Sequence, residues 1–329
     1  MNLSNFQTSS RRTFLRNMTL LGMALPFPFT SCTAATGKDK KSVTEKKRPF
    51  RISINVSTIS GFKLPVTEQI KLAAAGGFEG IELWMSDINR HIKEGGTAGD
   101  LEKLLQDSGM RLENIIAFSS WLSNDVQTGI RGIEQMKADM DLTAQLGGHH
   151  IAATADGLDT FLMDNLEMYG NQFAEIIRMG KSYRVTPLLE LWGHGTLNKL
   201  WKALSIAAES REPDTQLLLD FFHLFAGGNS FDALSLINGA CLPVFHINDY
   251  PGDIPAAIIR DADRVYPGDG VCPFDEVIPM LYQAGFRGAF SLEIFNASYW
   301  SHSTPQQVLA TGFRKTTEVI DKALATLDG

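Results

Sequence analysis

Apolar residues along this chain gather in short, nearly unbroken runs. Each run is followed by a longer stretch in which apolar positions recur every three or four residues. The runs are RISINVS (51–57), FEGIELW (78–84), RLENIIAF (111–118), HHIAATA (149–155), VTPLLELW (185–192), TQLLLDFFH (215–223), PVFHIND (243–249) and GAFSLEIF (288–295). Short continuous apolar runs suit parallel strands that are covered on both faces. The intervening stretches, such as VTEQIKLAAAGG, AGDLEKLLQDSG, NQFAEIIRMGKSY and SFDALSLING, read as helices. Several end in glycine (Gly76, Gly77, Gly109, Gly147, Gly148, Gly285), a common helix C-terminal signal. Eight strand–helix units predict a single (β/α)8 barrel over residues 50–329. A doubly wound sheet would need fewer strands and usually a glycine-rich phosphate loop, and neither GxGxxG nor GxxxxGK[ST] occurs.

The leading segment breaks this pattern. Arg11 and Arg12, then Phe14 and Leu15, then a short apolar run without acids, predict a twin-arginine export signal over residues 1–32. Cys32 is a candidate lipid-attachment residue, with ordinary cleavage near residues 33–35 as the alternative. Residues 33–49 read as a polar, Lys-rich linker. The expected location is therefore outside the cytoplasm, periplasmic or membrane-anchored through Cys32. No later run reaches the roughly 18 apolar residues that a membrane span needs.

The 329-residue chain carries 30 basic and 37 acidic residues, a formal net charge of −7, and three of the basic ones lie in the leading segment. An acidic surface repels phosphodiesters, which argues against a nucleic-acid partner. Of three cysteines, Cys241 and Cys272 remain after processing. They either pair or stand as unrelated thiols, and no CxxC suggests a thiolate metal site.

Chemistry in a (β/α)8 barrel sits at the C-terminal ends of the strands. Strand 5 ends in Glu190, strand 6 in Asp220 with His223 three residues on, strand 7 in His246 and strand 8 in Glu293. Each taken alone has a structural explanation: a salt-bridged glutamate or a hydrogen-bonded core histidine. Four together, gathered without a lysine or arginine, would repel one another, and burial raises the cost of each charge. A divalent cation resolves both problems. Three oxygens and one nitrogen suit Mn²⁺, Mg²⁺ or Co²⁺, and Zn²⁺ is tolerated.

The motifs LELWGHG, LLLDFFHLFAGGNS, VFHINDYP, RDADRVYPGDG and GFRGAFSLEIFN make the chain similar to the sugar isomerase/epimerase family with the xylose-isomerase-like barrel, and within it to the inosose-isomerase branch. That resemblance implies one divalent metal on Glu190, Asp220, His246 and Glu293. It also implies substrate contacts from His223 and Arg264. The implied chemistry is removal of a proton next to a carbonyl, through an enediolate, with Glu190 and Glu293 on opposite faces of the substrate and His223 at a substrate oxygen. His223 could instead orient Asp220, and Arg264 could instead pair with Asp261 or Asp263.

His194 and Trp192 are further candidate substrate contacts. Trp84, Trp192 and Phe222 could form an apolar wall or simply fill the core. Asn55 and Glu82 could touch substrate, or could be barrel-filling or surface residues, and His149 and His150 read as structural. The expected substrate is a free keto-sugar or cyclitol. A dehydratase with the same site is the alternative. An endonuclease of the same barrel class is disfavoured by the shortage of histidines and by the acidic charge. A non-catalytic sugar-binding lipoprotein is disfavoured by the complete ligand set. The oligomeric state, a homo-oligomer included, is open.

Overall fold

The structure is a computed structural model that describes residues 48–327. The predicted export signal, Cys32 and nearly all of the linker lie outside the described residues. The strands are β1 (Arg51–Asn55), β2 (Gly80–Trp84), β3 (Arg111–Ile116), β4 (His150–Ala153), β5 (Thr186–Glu190), β6 (Gln216–Asp220), β7 (Val244–Ile247) and β8 (Ala289–Leu292). All pair in parallel with their sequence neighbours, and β8 pairs with β1, so the sheet closes into the expected barrel. The helices are α1 (Val66–Ala75), α2 (Met85–Lys93), α3 (Ala98–Asp107), α4 (Val126–Gln145), α5 (Leu166–Tyr183), α6 (Leu200–Ser210), α7 (Phe221–Ala226), α8 (Phe274–Gln283), α9 (Ala297–His302) and α10 (Pro305–Ala325). None of them is long and apolar enough to cross a membrane.

Successive side chains of a strand point to opposite faces of the sheet. Leu189, Leu217, Leu219, Phe245 and Phe290 accordingly join the large core shared with the helices, whereas Leu188, Leu218, Val244, Ile116 and Ala152 form a separate cluster. The residues two positions after Leu188, Leu218 and Val244 are Glu190, Asp220 and His246. A period of two therefore turns the site residues toward the same interior as these aliphatics, at the strands' C-terminal ends.

Two predicted elements differ. Strand 6 stops at Asp220 rather than continuing through His223, because the Asp220 carboxylate accepts from the backbone N–H of His223 (3.1 Å) and caps the short helix α7. The stretch SFDALSLING forms only the 3₁₀ turn Phe231–Leu236 instead of a full helix. Its apolar residues do not share one face: Leu234 is buried, while Leu236 is 88% exposed.

The loop after β7 is held by one buried side chain. The Asp249 carboxylate accepts from the backbone N–H groups of Tyr250, Gly268, Gly270 and Cys272, all at 2.8–2.9 Å. Its backbone pairs with Val265 in both directions. Gly270 is required there, since a Cβ would lie 2.2 Å from the Tyr250 carbonyl oxygen. This anchoring delivers Arg264, one residue before the bridge, into the barrel mouth. Cys241 and Cys272 are free thiols, so they do not pair.

Candidate active site

A cavity of about 490 Å³ opens at the C-terminal end of the barrel. Its walls include Glu190, Trp192, His194, His223, Arg264 and Glu293, six of the residues expected from sequence. Trp84, Phe118, Trp192 and Phe295 add an aromatic side, with Trp84–Phe118 ring centroids 5.6 Å apart and Phe118–Trp192 5.9 Å apart. Phe222 is not part of that wall. It lies beneath the Arg264 guanidinium, 4.5 Å from its ring centroid, a cation–π contact.

Below the cavity, three groups converge. Asp220, His246 and Glu293 each present one ligand-type atom, and these atoms lie within 4.8 Å of one another. His246 Nδ1 stands 3.1 Å from Glu293 Oε2 and 3.5 Å from Asp220 Oδ2, yet is aligned for a hydrogen bond to neither. A buried imidazole nitrogen without a partner, facing two carboxylate oxygens, is a donor set that fits a divalent cation. Glu190 lies outside this set of three, although it is close enough to feel the charges of His246, Glu293 and Glu82.

The expectation that these acids gather without a basic side chain is wrong. Arg264 is wholly buried among them. Its Nη1 donates to Asp220 Oδ2 and to Glu293 Oε2, both at 2.8 Å, and its Nη2 donates to Asp261 Oδ1 at 2.6 Å. Nη2 also lies 3.2 Å from His223 Nε2. Arg264 has no acceptor, so His223 Nε2 must be the acceptor and Nδ1 carries the ring hydrogen. The sequence could not show this, because Arg264 arrives from a loop and not from a strand end.

Charge and burial set the protonation of each group. Burial alone would raise the Asp220 carboxyl, but Arg264 and then His223 outweigh it and hold it well below the usual carboxylate range. Burial would also lower the His246 imidazole, but Glu293 and Glu82 hold it well above its ordinary value. Burial pushes His223 down to about 4, so it is neutral near pH 7. Burial pushes Glu190 up to about 8; Glu293 and Glu82 add to the rise, while His246 and Trp192 oppose it. One Glu190 oxygen has no hydrogen-bond partner. Glu293, in contrast, is tied by Arg264 and by Asn55 Nδ2 (2.8 Å).

Asn55 thus supports a site residue and also accepts from the Trp84 indole at 3.1 Å. Glu82 does not line the cavity; it is buried inside the barrel against His246 Nε2. Asn248, which sequence reading passed over, donates to both Asp220 oxygens (3.1 and 3.2 Å). It sits two residues after His246, on the same face by strand alternation, which is the signal that could have found it. His150 hydrogen-bonds the Glu113 carbonyl and His149 approaches that of Arg184, consistent with structural roles away from the cavity.

The profile of the xylose isomerase-like TIM barrel family matches residues 70–320. The chain belongs to that family. Its relatives include the inosose isomerase of Halalkalibacterium halodurans, 30% identical over 154 residues; that alignment covers 46% of this chain and 54% of the relative, so the match spans about half of the relative's length. A 3-dehydroshikimate dehydratase of Pseudomonas putida is 23% identical over 273 residues, covering 80% of this chain and 40% of that protein. Among solved structures, an IOLI protein with a bound zinc atom superposes with a TM-score of 0.76 at 22% identity, covering 83% of this chain and 99% of that one. The family barrel is thus present here with a carboxylate–imidazole cluster at its mouth.

In this xylose isomerase-like barrel the raised Glu190 value has a measurable consequence. A carboxyl whose folded pKa (about 8) exceeds its ordinary value of 4.5 stabilises the fold fully at low pH and loses that contribution as pH rises between those values. For one proton the slope is about 1.4 kcal/mol per pH unit. Glu190→Gln removes it. In urea unfolding of the metal-free protein at pH 5, 6.5 and 8, the variant is expected to gain stability relative to wild type at close to that slope. A difference that does not change with pH would contradict the buried, protonated Glu190.

Proposed function

We propose that this protein is a divalent-metal-dependent isomerase or epimerase of an unphosphorylated keto-sugar or cyclitol, acting by proton transfer at the carbon next to a carbonyl. The observation that carries this reading is the contrast between two glutamates lining one cavity: Glu190 has a partnerless carboxyl oxygen, and Glu293 is tied at both oxygens. Asp220, His246 and Glu293 would hold the ion (Mn²⁺, Co²⁺, Mg²⁺ or Zn²⁺), with Glu190 as the fourth ligand that the family likeness implies. When bound, such an ion supplies Lewis acidity that weakens the C–H bond beside a carbonyl.

The chain's own groups do the rest. Glu190, protonated in the metal-free protein, would be ionised beside a bound cation and would then take the proton from carbon. In isomerisation Glu190 returns that proton to the adjacent carbon. In epimerisation Glu293, held by Asn55 and Arg264 and facing the substrate from strand 8, passes a solvent proton to the opposite face, while Glu190 later releases its own to solvent. His223, neutral with its hydrogen on Nδ1, donates to a substrate oxygen. Trp84 and Trp192 pack against the C–H face of a ring. Arg264 is the single lysine or arginine among the cavity's walls, and Asp220, Glu293 and Asp261 already engage it. A phosphorylated substrate would therefore find no free cationic side chain among these walls, whereas a neutral polyol needs none.

The second reading is a dehydratase on a related substrate, favoured by the likeness to the Pseudomonas putida enzyme. Proton NMR in D₂O with metal-loaded protein and a panel of ketoses and inososes tests both. Deuterium is expected at the carbon next to the carbonyl, without loss of water. Glu190→Gln and Glu293→Gln should each slow that exchange by at least about 100-fold while leaving the fold intact. A growing enone absorbance in the ultraviolet would favour the dehydratase. No exchange with any member of the panel would sink the isomerase reading.

The proposal includes export. The sequence support is the pair Arg11 and Arg12 ahead of a short apolar run, and Cys32 as the candidate lipid anchor. Replacing both arginines with lysine is expected to retain the protein in the cytoplasm on cell fractionation. Unchanged export would remove the twin-arginine assignment.

A further inference from the structure

Glu82 is the one carboxylate near the site that substrate cannot explain. It lies in the middle of β2, is wholly buried and contributes nothing to the cavity wall. Its oxygens stand 3.0 and 3.2 Å from His246 Nε2. β2 and β7 are not neighbours in the sheet; β1 and β8 lie between them, so this contact crosses the barrel interior. On the near side, Asn114 of β3 donates to Glu82 Oε2 at 2.9 Å and fixes the carboxylate in place.

The arrangement selects one form of the imidazole. With a cation on the Nδ1 side in place of a proton, the ionised Glu82 behind the ring, which only accepts, keeps the ring hydrogen on Nε2 and leaves the lone pair on Nδ1. Nδ1 is the nitrogen that faces the Asp220 and Glu293 oxygens without a hydrogen bond to either. A carboxylate behind a metal-ligating histidine fixes both the tautomer and the ring orientation, and removing such a partner typically weakens metal binding by about 10- to 100-fold. Ile81 and Leu83, on the other face of β2, pack into the core shared with the helices. An apolar side chain at the inward position would fill the barrel without burying a charge, so packing alone gives no reason for an acid there.

We propose that Glu82 is a positioning residue that presents His246 Nδ1 to the divalent cation; this deepens the metal-dependent reading above and rests on it. Two measurements test it without using turnover. In the first, Zn²⁺ binding is followed by calorimetry for wild type, Glu82→Met and Glu82→Gln, with metal-free thermal unfolding as the check on folding. Methionine keeps most of the volume and removes the acceptor, so affinity is expected to fall 10- to 100-fold. Glutamine can still accept from Nε2–H and is expected to remain within a few-fold of wild type. Wild-type affinity in a folded Glu82→Met protein would overturn the positioning role alone. A wild-type protein that binds no Zn²⁺ would overturn both this inference and the metal-dependent function.

The second measurement needs no variant and so survives a failure of Glu82→Met to fold. In wild-type protein carrying ¹⁵N-histidine and loaded with Zn²⁺, the His246 ring is expected to keep its hydrogen on Nε2 and to show the metal-induced shift at Nδ1. The reverse assignment, with metal at Nε2, would overturn the proposal.

Discussion

Asp220 and Glu293 are buried a few ångströms from one imidazole, and two carboxylates so placed demand positive charge between them. Most of what surrounds them answers that demand. In the structure described here, Arg264 and a His246 held well above its ordinary value supply the charge. The same oxygens and the partnerless Nδ1 form a set that a divalent cation can take. The site therefore has two sources of compensation, one built into the chain and one proposed to bind to it. The built-in source offsets part of the acids' mutual repulsion within the chain itself.

The barrel makes the crowding sustainable. Parallel strands of four to six residues give every inward series the same phase, so that one rim collects the polar ends while the aliphatic positions beneath fill the interior. Around that rim, polar side chains from neighbouring elements fix each acid singly: Asn55 on Glu293, Asn248 on Asp220, Asn114 on Glu82. Glu190 is left without such a partner at one oxygen, and burial raises its affinity for a proton. The same fold thus produces one fixed carboxylate and one able to exchange a proton, the pairing that chemistry beside a carbonyl requires.

How much of this could be read from the sequence depends on where a residue's neighbours come from. Glu190, Asp220, His246 and Glu293 interrupt apolar runs at the ends of four consecutive strands, so alternation and strand order suffice to bring them to one place. His194, Trp192 and His223 follow from the same ends and do line the cavity. Arg264 was visible as a candidate contact, but its position between the acids was not, because it depends on the loop that Asp249 ties down by four backbone bonds. For Glu82 the sequence leaves a substrate contact, a barrel-filling residue and a surface residue equally open, because its partner lies 164 residues away across the barrel, a distance no local pattern encodes. The early stop of β6 has a local cause that can be read in hindsight: an aspartate three residues before a histidine caps the helix that follows it.

The claim on which the account rests is that a divalent ion occupies the space between Asp220, His246 and Glu293. The most direct test is X-ray diffraction from crystals of the protein loaded with Mn²⁺ or Zn²⁺, collected at the absorption edge of the metal. The account predicts a single strong anomalous peak bonded to His246 Nδ1 and to oxygens of Asp220 and Glu293. Full loading with no peak there, or a peak bound only elsewhere on the surface, would contradict it.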